Sequence, residues 1–157
     1  TGTAIGTWRN GTTIQARRFD FAARSTAGPF TIGTSSTSAI PSIAMNASGQ
    51  AVILWSDGNQ MLANHYVAGS WGGAQTVNAS AGDTTDRSVV LDASGNAVAV
   101  WSFTGYVYAS QYLAGTGWGS RQTLSTNGTR PTIAIDGTGA AVALWTDGNS
   151  MWASWFE

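Results

Sequence analysis

A repeated phrase constrains what this chain can fold into more than any other feature of its sequence. The segments NASGQAVILWS, DASGNAVAVWS and DGTGAAVALWT differ from one another at few positions, and a more diverged copy opens the chain. The tryptophans that align are Trp8, Trp55, Trp101 and Trp145, spaced 47, 46 and 44 residues apart. A period of this length is typical of repeat architectures, in which each unit needs its neighbours to bury its faces. The chain is therefore a tandem array.

Four further columns keep their residue type at a fixed distance from the tryptophan. A glycine stands six places before it, an alanine four before, an alanine eight after and an aromatic residue eleven after. These columns are Gly2, Gly49, Gly95 and Gly139; Ala4, Ala51, Ala97 and Ala141; Ala16, Ala63, Ala109 and Ala153; and Phe19, Tyr66, Tyr112 and Phe156. Agreement of this kind across four copies predicts four units with one common structure.

The segment between the glycine and the tryptophan predicts a strand buried on both sides. In the third copy, Ala97, Ala99 and Trp101 would share one face, with Val98 and Val100 on the other. A short uncharged run that is apolar on both faces favours a buried strand over a helix. The tryptophans of the column, Trp8, Trp55, Trp101 and Trp145, are accordingly predicted to be core residues.

Turn residues divide each unit into strands. Asn10-Gly11, Asp57-Gly58 and Asp147-Gly148 are predicted to form the centres of two-residue hairpin loops, where both residues have positive φ. The third copy has Phe103-Thr104-Gly105 in this place, which predicts a looser turn.

A second turn precedes the buried strand in each unit. It begins at Asn46, Asp92 or Asp136 and ends on the column glycine. Asx side chains bond the local backbone, and glycine takes the left-handed conformation. Before this turn lie the first strands SIAM, SVVL and TIAI, and outer strands begin at WGGAQTV and WGSRQTL, with Phe30 in a weaker equivalent.

Four short antiparallel strands in each unit of 44–47 residues indicate blades of a β-propeller. The predicted fold class is all-β, with blades at about 1–38, 39–84, 85–128 and 129–157. By strand roles the first blade lacks its first strand and the last lacks its fourth. We therefore expect the chain to be part of a larger propeller, or a protomer that builds one with copies of itself.

Composition limits where the protein is expected to act and which partners it is expected to bind. Only 10% of the residues are charged, against roughly 25% in average proteins, and a surface of Thr, Ser, Asn and Gly is common in secreted and cell-surface β proteins. A net charge of −1 without a basic cluster argues against nucleic acid as a partner. No apolar run approaches the ~18 residues of a membrane span. Without cysteine the chain has no disulfides, and no motif suggests a cofactor.

The columns Asp/Asn-x-Ser/Thr-Gly-x-Ala-Val-x-x-Trp, then Ala, then an aromatic, then Gly-Trp-Gly resemble a tandem repeat of large secreted bacterial proteins. The pattern is also similar in plan to the blades of propeller lectins and of sialidase-like propellers. This resemblance implies blade architecture and an extracellular or cell-surface location. It implies no particular activity, because propellers host many unrelated functions.

Catalysis and metal binding find little support in the sequence. A sialidase-like glycosidase, the least favoured function, needs an arginine cluster, a tyrosine nucleophile with an acidic partner, and a general acid. Each repeat turn offers a metal ion one carboxylate, which is too few for a calcium site, and His65 is the single histidine. Four aspartates fall in repeat turns, and the others are interpreted as surface ion pairs: Asp57, Asp92, Asp136 and Asp147 in turns, and Asp20, Asp83 and Asp86 near Arg17, Arg18 and Arg87. No catalytic residue and no metal ligand is predicted.

Aromatic residues on the outer strands carry the remaining signal. Trp71 and Trp118 each begin an outer strand beside glycines. They either pack over the neighbouring strand or form platforms on which a sugar ring stacks, with Gln75, Gln122 and Arg121 bonding its hydroxyls. The predicted function is a non-catalytic extracellular module that binds glycans through repeated sites. The alternative is a structural or adhesive repeat region of a larger surface protein.

Overall fold

The computed structural model describes residues 2–36, 40–58, 60–80 and 86–157. Within these residues the chain is all-β: sixteen antiparallel strands form four sheets, and no helix is present that could cross a membrane. Sheet 1 contains β1 (Thr3–Asn10), β2 (Thr13–Asp20) and β3 (Ser25–Thr34). Sheet 2 contains β4 (Ser42–Met45), β5 (Ala51–Asp57), β6 (Gln60–Val67), β7 (Ser70–Trp71) and β8 (Gln75–Asn78).

Sheets 3 and 4 continue the same order along the chain. Sheet 3 contains β9 (Arg87–Leu91), β10 (Ala97–Phe103), β11 (Tyr106–Leu113), β12 (Gly117–Trp118) and β13 (Gln122–Ser125). Sheet 4 contains β14 (Thr129–Ile135), β15 (Ala141–Asp147) and β16 (Ser150–Phe156). Apart from β8, which pairs with β6, and β13, which pairs with β11, strands that pair within a sheet are neighbours in sequence, so hairpins build most of every sheet. The all-β class is confirmed.

Successive sheets pack face to face, mainly through the first strand of the later sheet. Side chains of the strand with the repeat tryptophan point alternately to the two sides of each sheet. We call the side that carries the tryptophan the tryptophan face, and the opposite side the aliphatic face. In sheet 3, Ala97, Ala99 and Trp101 pack on the aliphatic face of sheet 2, while Val98 and Val100 pack against sheet 4. Strands β5 and β10 are buried on both sides, as the sequence predicts.

Glycines in the segment before a sheet make room for its tryptophan. A Cβ placed on Gly33 of β3 would lie 2.4 Å from Cζ2 of Trp55, and one on Gly128 would lie 2.6 Å from Cδ1 of Trp145. Real Cβ contacts are not this short, so only glycine fits without a shift of the indole. The Trp55 Nε1 also donates a 2.9 Å hydrogen bond to the Thr34 carbonyl. Each of these indoles is therefore held by the segment that leads into its own sheet.

The hairpin loops differ in detail from the prediction. Asn10 pairs with Thr13 inside the ladder, so the two-residue loop begins at Gly11, and positive φ falls on this glycine alone (61°). In the third copy Phe103 pairs with Tyr106, and the loop residues Thr104 and Gly105 both have positive φ (50° and 83°). The expectation of a looser third turn is wrong, because Thr104 tolerates the left-handed conformation and the loop keeps two residues.

The outer strands of sheets 2 and 3 are broken where continuous strands were predicted. After Trp71 the chain leaves the ladder, and the Gly73 N–H donates to Oδ1 of Asn64 at 3.0 Å instead of to a neighbouring strand. In sheet 3 the Gly119 N–H bonds the Gln111 carbonyl at 2.8 Å, and the ladder resumes at Gln122. The glycines that follow these tryptophans thus produce a bulge, which splits each outer strand into two short pieces.

The buried tryptophan column predicts a large loss of stability on truncation. Trp101 is fully buried between sheets 2 and 3, so Trp101→Ala should lower the free energy of unfolding by roughly 3–5 kcal/mol. Leu113→Ala, at an exposed position of the same sheet, serves as the control and should change it by less than about 0.5 kcal/mol. Urea unfolding measures both, and a loss under about 1 kcal/mol for Trp101→Ala would contradict the packing described.

Candidate functional site

Clefts between successive sheets recur at one edge of the stack. Each opens where the glycine turn of one sheet meets the end of the strand that follows the tryptophan strand in the sheet before it. The earlier sheet contributes the residue ten places after its tryptophan, and the later sheet contributes its aromatic column residue. The pairs are Arg18 with Tyr66, His65 with Tyr112, and Gln111 with Phe156. The repeat therefore builds equivalent clefts with different chemistry.

The first cleft, between sheets 1 and 2, is the most open and the most polar. It has a volume of about 500 Å³ and is lined on one side by Arg18 and Asp20, and on the other by Gln50 and Tyr66. Nη2 of Arg18 lies 3.8 Å from Oδ2 of Asp20, and about a third of each side chain is exposed (33% and 30%). At this separation and exposure the ion pair is weak. Both groups therefore stay able to bond a ligand.

The second cleft is narrower and is closed by aromatic stacking. It measures about 170 Å³. The imidazole of His65 stacks on Tyr112 with ring centroids 4.0 Å apart, and Trp118 lies 5.9 Å from the same imidazole. Burial lowers the pKa of His65 from 6.5 to about 4, so the ring is neutral at neutral pH. Its Nε2 is buried and has no hydrogen-bond partner among the described residues.

The third cleft is the smallest, at about 80 Å³, and lies between sheets 3 and 4. Gln111 occupies the position of Arg18 and His65, and Phe156 fills the space that Tyr66 leaves open in the first cleft. Phe156 is buried in the core shared by the two sheets. The capacity for a ligand therefore falls along the stack as the aromatic residue turns inward.

The predicted sugar-stacking residues Trp71 and Trp118 lie behind the clefts. Both are half-buried and pack against the cores between sheets. Trp71 contacts Tyr66 at 5.1 Å and Trp118 contacts Tyr112 at 5.4 Å between ring centroids. Their indole nitrogens are buried and find no partner in the described part of the chain. The two tryptophans thus support the aromatic residues that line the clefts.

The predicted polar partners lie elsewhere on the outer strands. Gln75 and Gln122 are exposed on β8 and β13, and the guanidinium carbon of Arg121 stands 4.4 Å from the ring centroid of Tyr108. The structure does not bring them into the clefts. Among the predicted core residues, Trp55, Trp101 and Trp145 are buried, whereas Trp8 is half-buried on the tryptophan face of sheet 1.

The turn aspartates are engaged by their own backbone and neighbours. Hydrogen bonds from the Thr138 hydroxyl and backbone hold the pKa of Asp136 below its usual value. Oδ1 of Asp92 accepts from the backbone of Ser94 and Asn96, each at 2.8 Å. Asp57 accepts from Ser36. In the described ranges no three His, Asp or Glu side chains gather as metal ligands would.

The surface ion pairs predicted for the remaining aspartates, Asp20, Asp83 and Asp86, have different outcomes. Arg18 and Asp20 form the expected ion pair, while Asp86 accepts from the Ser102 hydroxyl at 3.3 Å. Arg87 donates to the Ile40 carbonyl and, at 3.2 Å, to the Ser56 hydroxyl. Asp83 lies outside the described residues. No three-residue catalytic arrangement is built from these contacts.

The cleft residues Arg18, His65 and Gln111 were not singled out together from the sequence. They stand between two constant columns, the alanine eight places and the aromatic eleven places after the tryptophan. Their own column changes from arginine to histidine to glutamine and then to Trp155. A variable position between two constant columns is the sequence signal that could have identified these cleft residues.

Burial of a neutral imidazole predicts a pH-dependent stability. The unfolded chain binds a proton at His65 near pH 6.5, whereas the folded chain does so only near pH 4. The free energy of unfolding should therefore reach its maximum above pH 6.5 and fall by about 1 kcal/mol for each pH unit from there toward pH 4. His65→Gln, which copies the third repeat, should flatten this dependence in denaturant titrations. An unchanged slope in the variant would place the proton uptake elsewhere.

Comparison with known proteins supports the fold. No protein-family model and no curated protein matches the sequence. Among solved structures, a mutant of the NanB sialidase from Streptococcus pneumoniae is similar with a TM-score of 0.60 and 10% sequence identity, over 91% of this chain and 25% of that chain. The leech intramolecular trans-sialidase has a TM-score of 0.57 and 10% identity, over 99% of this chain and 29% of that chain.

The intramolecular trans-sialidase from Ruminococcus gnavus is similar to the same degree, with a TM-score of 0.57 and 10% identity, over 99% of this chain and 40% of that chain. The chain thus spans between a quarter and two fifths of these proteins. At such low identity the likeness concerns the fold alone. The chain is similar in fold to all-β domains of sialidases.

Proposed function

We propose that this chain is a non-catalytic, extracellular binding module of propeller type, with glycans as its ligands. Four sheets of antiparallel strands that pack in chain order support the propeller arrangement, because blades stack in this manner around a ring. The likeness to sialidase domains supports it as well. The low content of charged residues supports an extracellular location.

The first cleft is the observation that carries this proposal. A sugar offers hydroxyl groups that both donate and accept, together with an apolar ring face. Arg18 supplies donors and Asp20 supplies acceptors, while Tyr66 supplies an aromatic ring. Because the Arg18–Asp20 pair carries no net charge, the cleft suits a neutral polyhydroxylated ring better than an anion. The expected ligand class is therefore a hexose or a similar neutral sugar at the end of a glycan.

The outer strands provide a second proposed contact surface. Gln75, Gln122 and Arg121 are exposed there, and Trp71 and Trp118 lie beside them at the start of each outer strand. These were the groups that the sequence indicated. Since the indole nitrogens are buried, any stacking would use only the remaining exposed part of each ring. We rank this surface below the first cleft.

Several contacts support the absence of catalysis. A glycosidase needs a carboxyl group that is free to transfer a proton. Asp20 is the one acid among the described residues that line the first cleft, whereas most glycosidases use a pair of carboxyl groups. Asp92 and Asp136 are bonded to their own turns, and Asp57 and Asp147 accept hydrogen bonds from side chains of the preceding segment. A fluorogenic sialoside that stays intact in the presence of the chain would agree with this view, and turnover that depends on Asp20 would overturn it.

A structural or adhesive role is the second candidate. The observation that favours it is the small volume of the second and third clefts, about 170 and 80 Å³, which leaves one roomy cleft among the three equivalent ones. In that case the repeats would serve mainly as a scaffold, and immobilised glycans would retain none of the chain.

Glycan binding predicts a defined loss when Arg18 is changed. On a glycan array, Arg18→Gln should weaken binding about tenfold or more, because it removes a charged hydrogen-bond donor. Arg9→Gln, on an exposed part of the neighbouring strand, is the matched control and should bind as the unchanged chain does.

The double variant Gln75→Ala with Gln122→Ala separates the two surfaces. Retained binding by the double variant together with loss by Arg18→Gln would place the ligand in the first cleft. The reverse pattern would move it to the outer strands. Absence of binding to every glycan on the array would contradict the proposal and favour the structural role.

A further inference from the structure

The second cleft is bounded on both sides by five-stranded sheets, sheets 2 and 3. Ala51, His65 and Val67 line it from sheet 2, and Leu91 and Tyr112 line it from sheet 3. The stacking of the imidazole on the tyrosine narrows this cleft but leaves a volume of about 170 Å³. The cleft is therefore a small, built cavity between two sheets.

His65 is a buried polar residue that the packing of the sheets does not require. The same column carries Arg18 in sheet 1 and Gln111 in sheet 3, and both of these side chains are half-buried. The imidazole is only 8% exposed, and its Nε2 has no hydrogen-bond partner among the described residues. A buried polar group without a partner costs free energy, and native proteins keep few of them. A histidine at this position therefore points to a role beyond packing.

A group in the cleft reaches the imidazole through the nitrogen that remains accessible. Nε2 is sealed from solvent, whereas His65 as a residue lines the cleft, so Nδ1 is the nitrogen that can meet a ligand. A neutral imidazole carries one donor and one acceptor. Because a hydroxyl group both donates and accepts, one hydroxyl group on a ligand bonds Nδ1 whichever nitrogen holds the proton.

The remaining lining determines the charge and the size of a ligand. Among the described residues, none of those that line the cleft carries a charge at neutral pH, so a charged ligand would lose its hydration without gaining a counter-charge. Ala51, Val67 and Leu91 provide apolar walls. An apolar cavity of about 150 Å³ holds benzene, and the second cleft is of similar size. It therefore has room for one six-membered ring.

We propose that the second cleft binds an uncharged aromatic ring with one hydroxyl group, a ligand of the phenol class. The ring lies between the apolar walls, and its hydroxyl group bonds Nδ1 of His65. A sugar fits this cleft poorly, because most of its hydroxyl groups would face apolar walls without partners. The inference rests on the second cleft alone and holds whether or not the first cleft binds glycans.

NMR tests the proposal directly, because His65 is the single histidine of the chain. Phenol added at neutral pH should shift the ring-proton signals of this histidine in a saturable way. The dissociation constant should be on the order of 1 mM, which is within the affinity that so few atoms can supply. Benzene lacks the hydroxyl group and should bind about tenfold more weakly. Histidine signals that phenol leaves unmoved would overturn the proposal.

Calorimetry on a variant isolates the hydrogen bond. His65→Phe keeps an aromatic ring but removes both nitrogens, so it should bind phenol about tenfold more weakly than the unchanged chain, and no better than it binds benzene. Gln60→Phe, at an exposed position of the same strand, is the control and should bind phenol normally. Thermal melts by circular dichroism show whether both variants are folded. Equal phenol affinity in folded His65→Phe would contradict the proposal.

A second variant tests the cleft without altering the imidazole. Ala114 is exposed and lines the cleft, so Ala114→Leu should narrow the cleft and weaken phenol binding severalfold. A titration with N-acetyltyrosinamide distinguishes the source of the ring: affinity similar to that of phenol indicates a tyrosine side chain of a peptide, and binding of phenol alone indicates a free small molecule. Unchanged phenol affinity in Ala114→Leu would place phenol outside the cleft and overturn the proposal.

Discussion

The burial of the repeat tryptophans of sheets 2, 3 and 4, each at the boundary with the preceding sheet, is the interaction on which the rest of the structure depends. Trp55 and Trp145 fit because glycine stands at Gly33 and Gly128, where any side chain would collide with the indole. The tryptophan belongs to one sheet and its pocket to the segment before it. No sheet is therefore complete by itself, and stability comes from nearest neighbours, as in other repeat proteins.

The same stacking separates scaffold from site within each repeat. Columns that face a neighbouring sheet keep alanine, tryptophan and an aromatic residue, because a change there would open a cavity or create a clash. The column that lines the clefts is free of this constraint and carries Arg18, His65 and Gln111 in turn. One fold thus presents a polar open cleft, a closed aromatic cleft and a small filled one.

Much of the fold could be predicted from the sequence, because periodicity reports burial directly. The alternation of Val98 and Val100 with Ala99 and Trp101 indicated a strand covered on both sides, and the structure agrees. Features that depend on contacts across sheets could not be predicted. Examples are the space above Trp55 left by Gly33, the bulge at Gly73 and the stacking of His65 on Tyr112. Each joins residues that are distant in sequence or whose hydrogen bonds lie outside a regular strand ladder.

Native-state hydrogen exchange tests the nearest-neighbour dependence most directly. If sheets 2 and 3 share one core across their interface, the amides of β5 and β10 should open together, with protection curves that merge as denaturant rises. The short outer pieces β7 and β12 should exchange first. Separate opening free energies for β5 and β10 at every denaturant concentration would contradict the dependence of each sheet on the next.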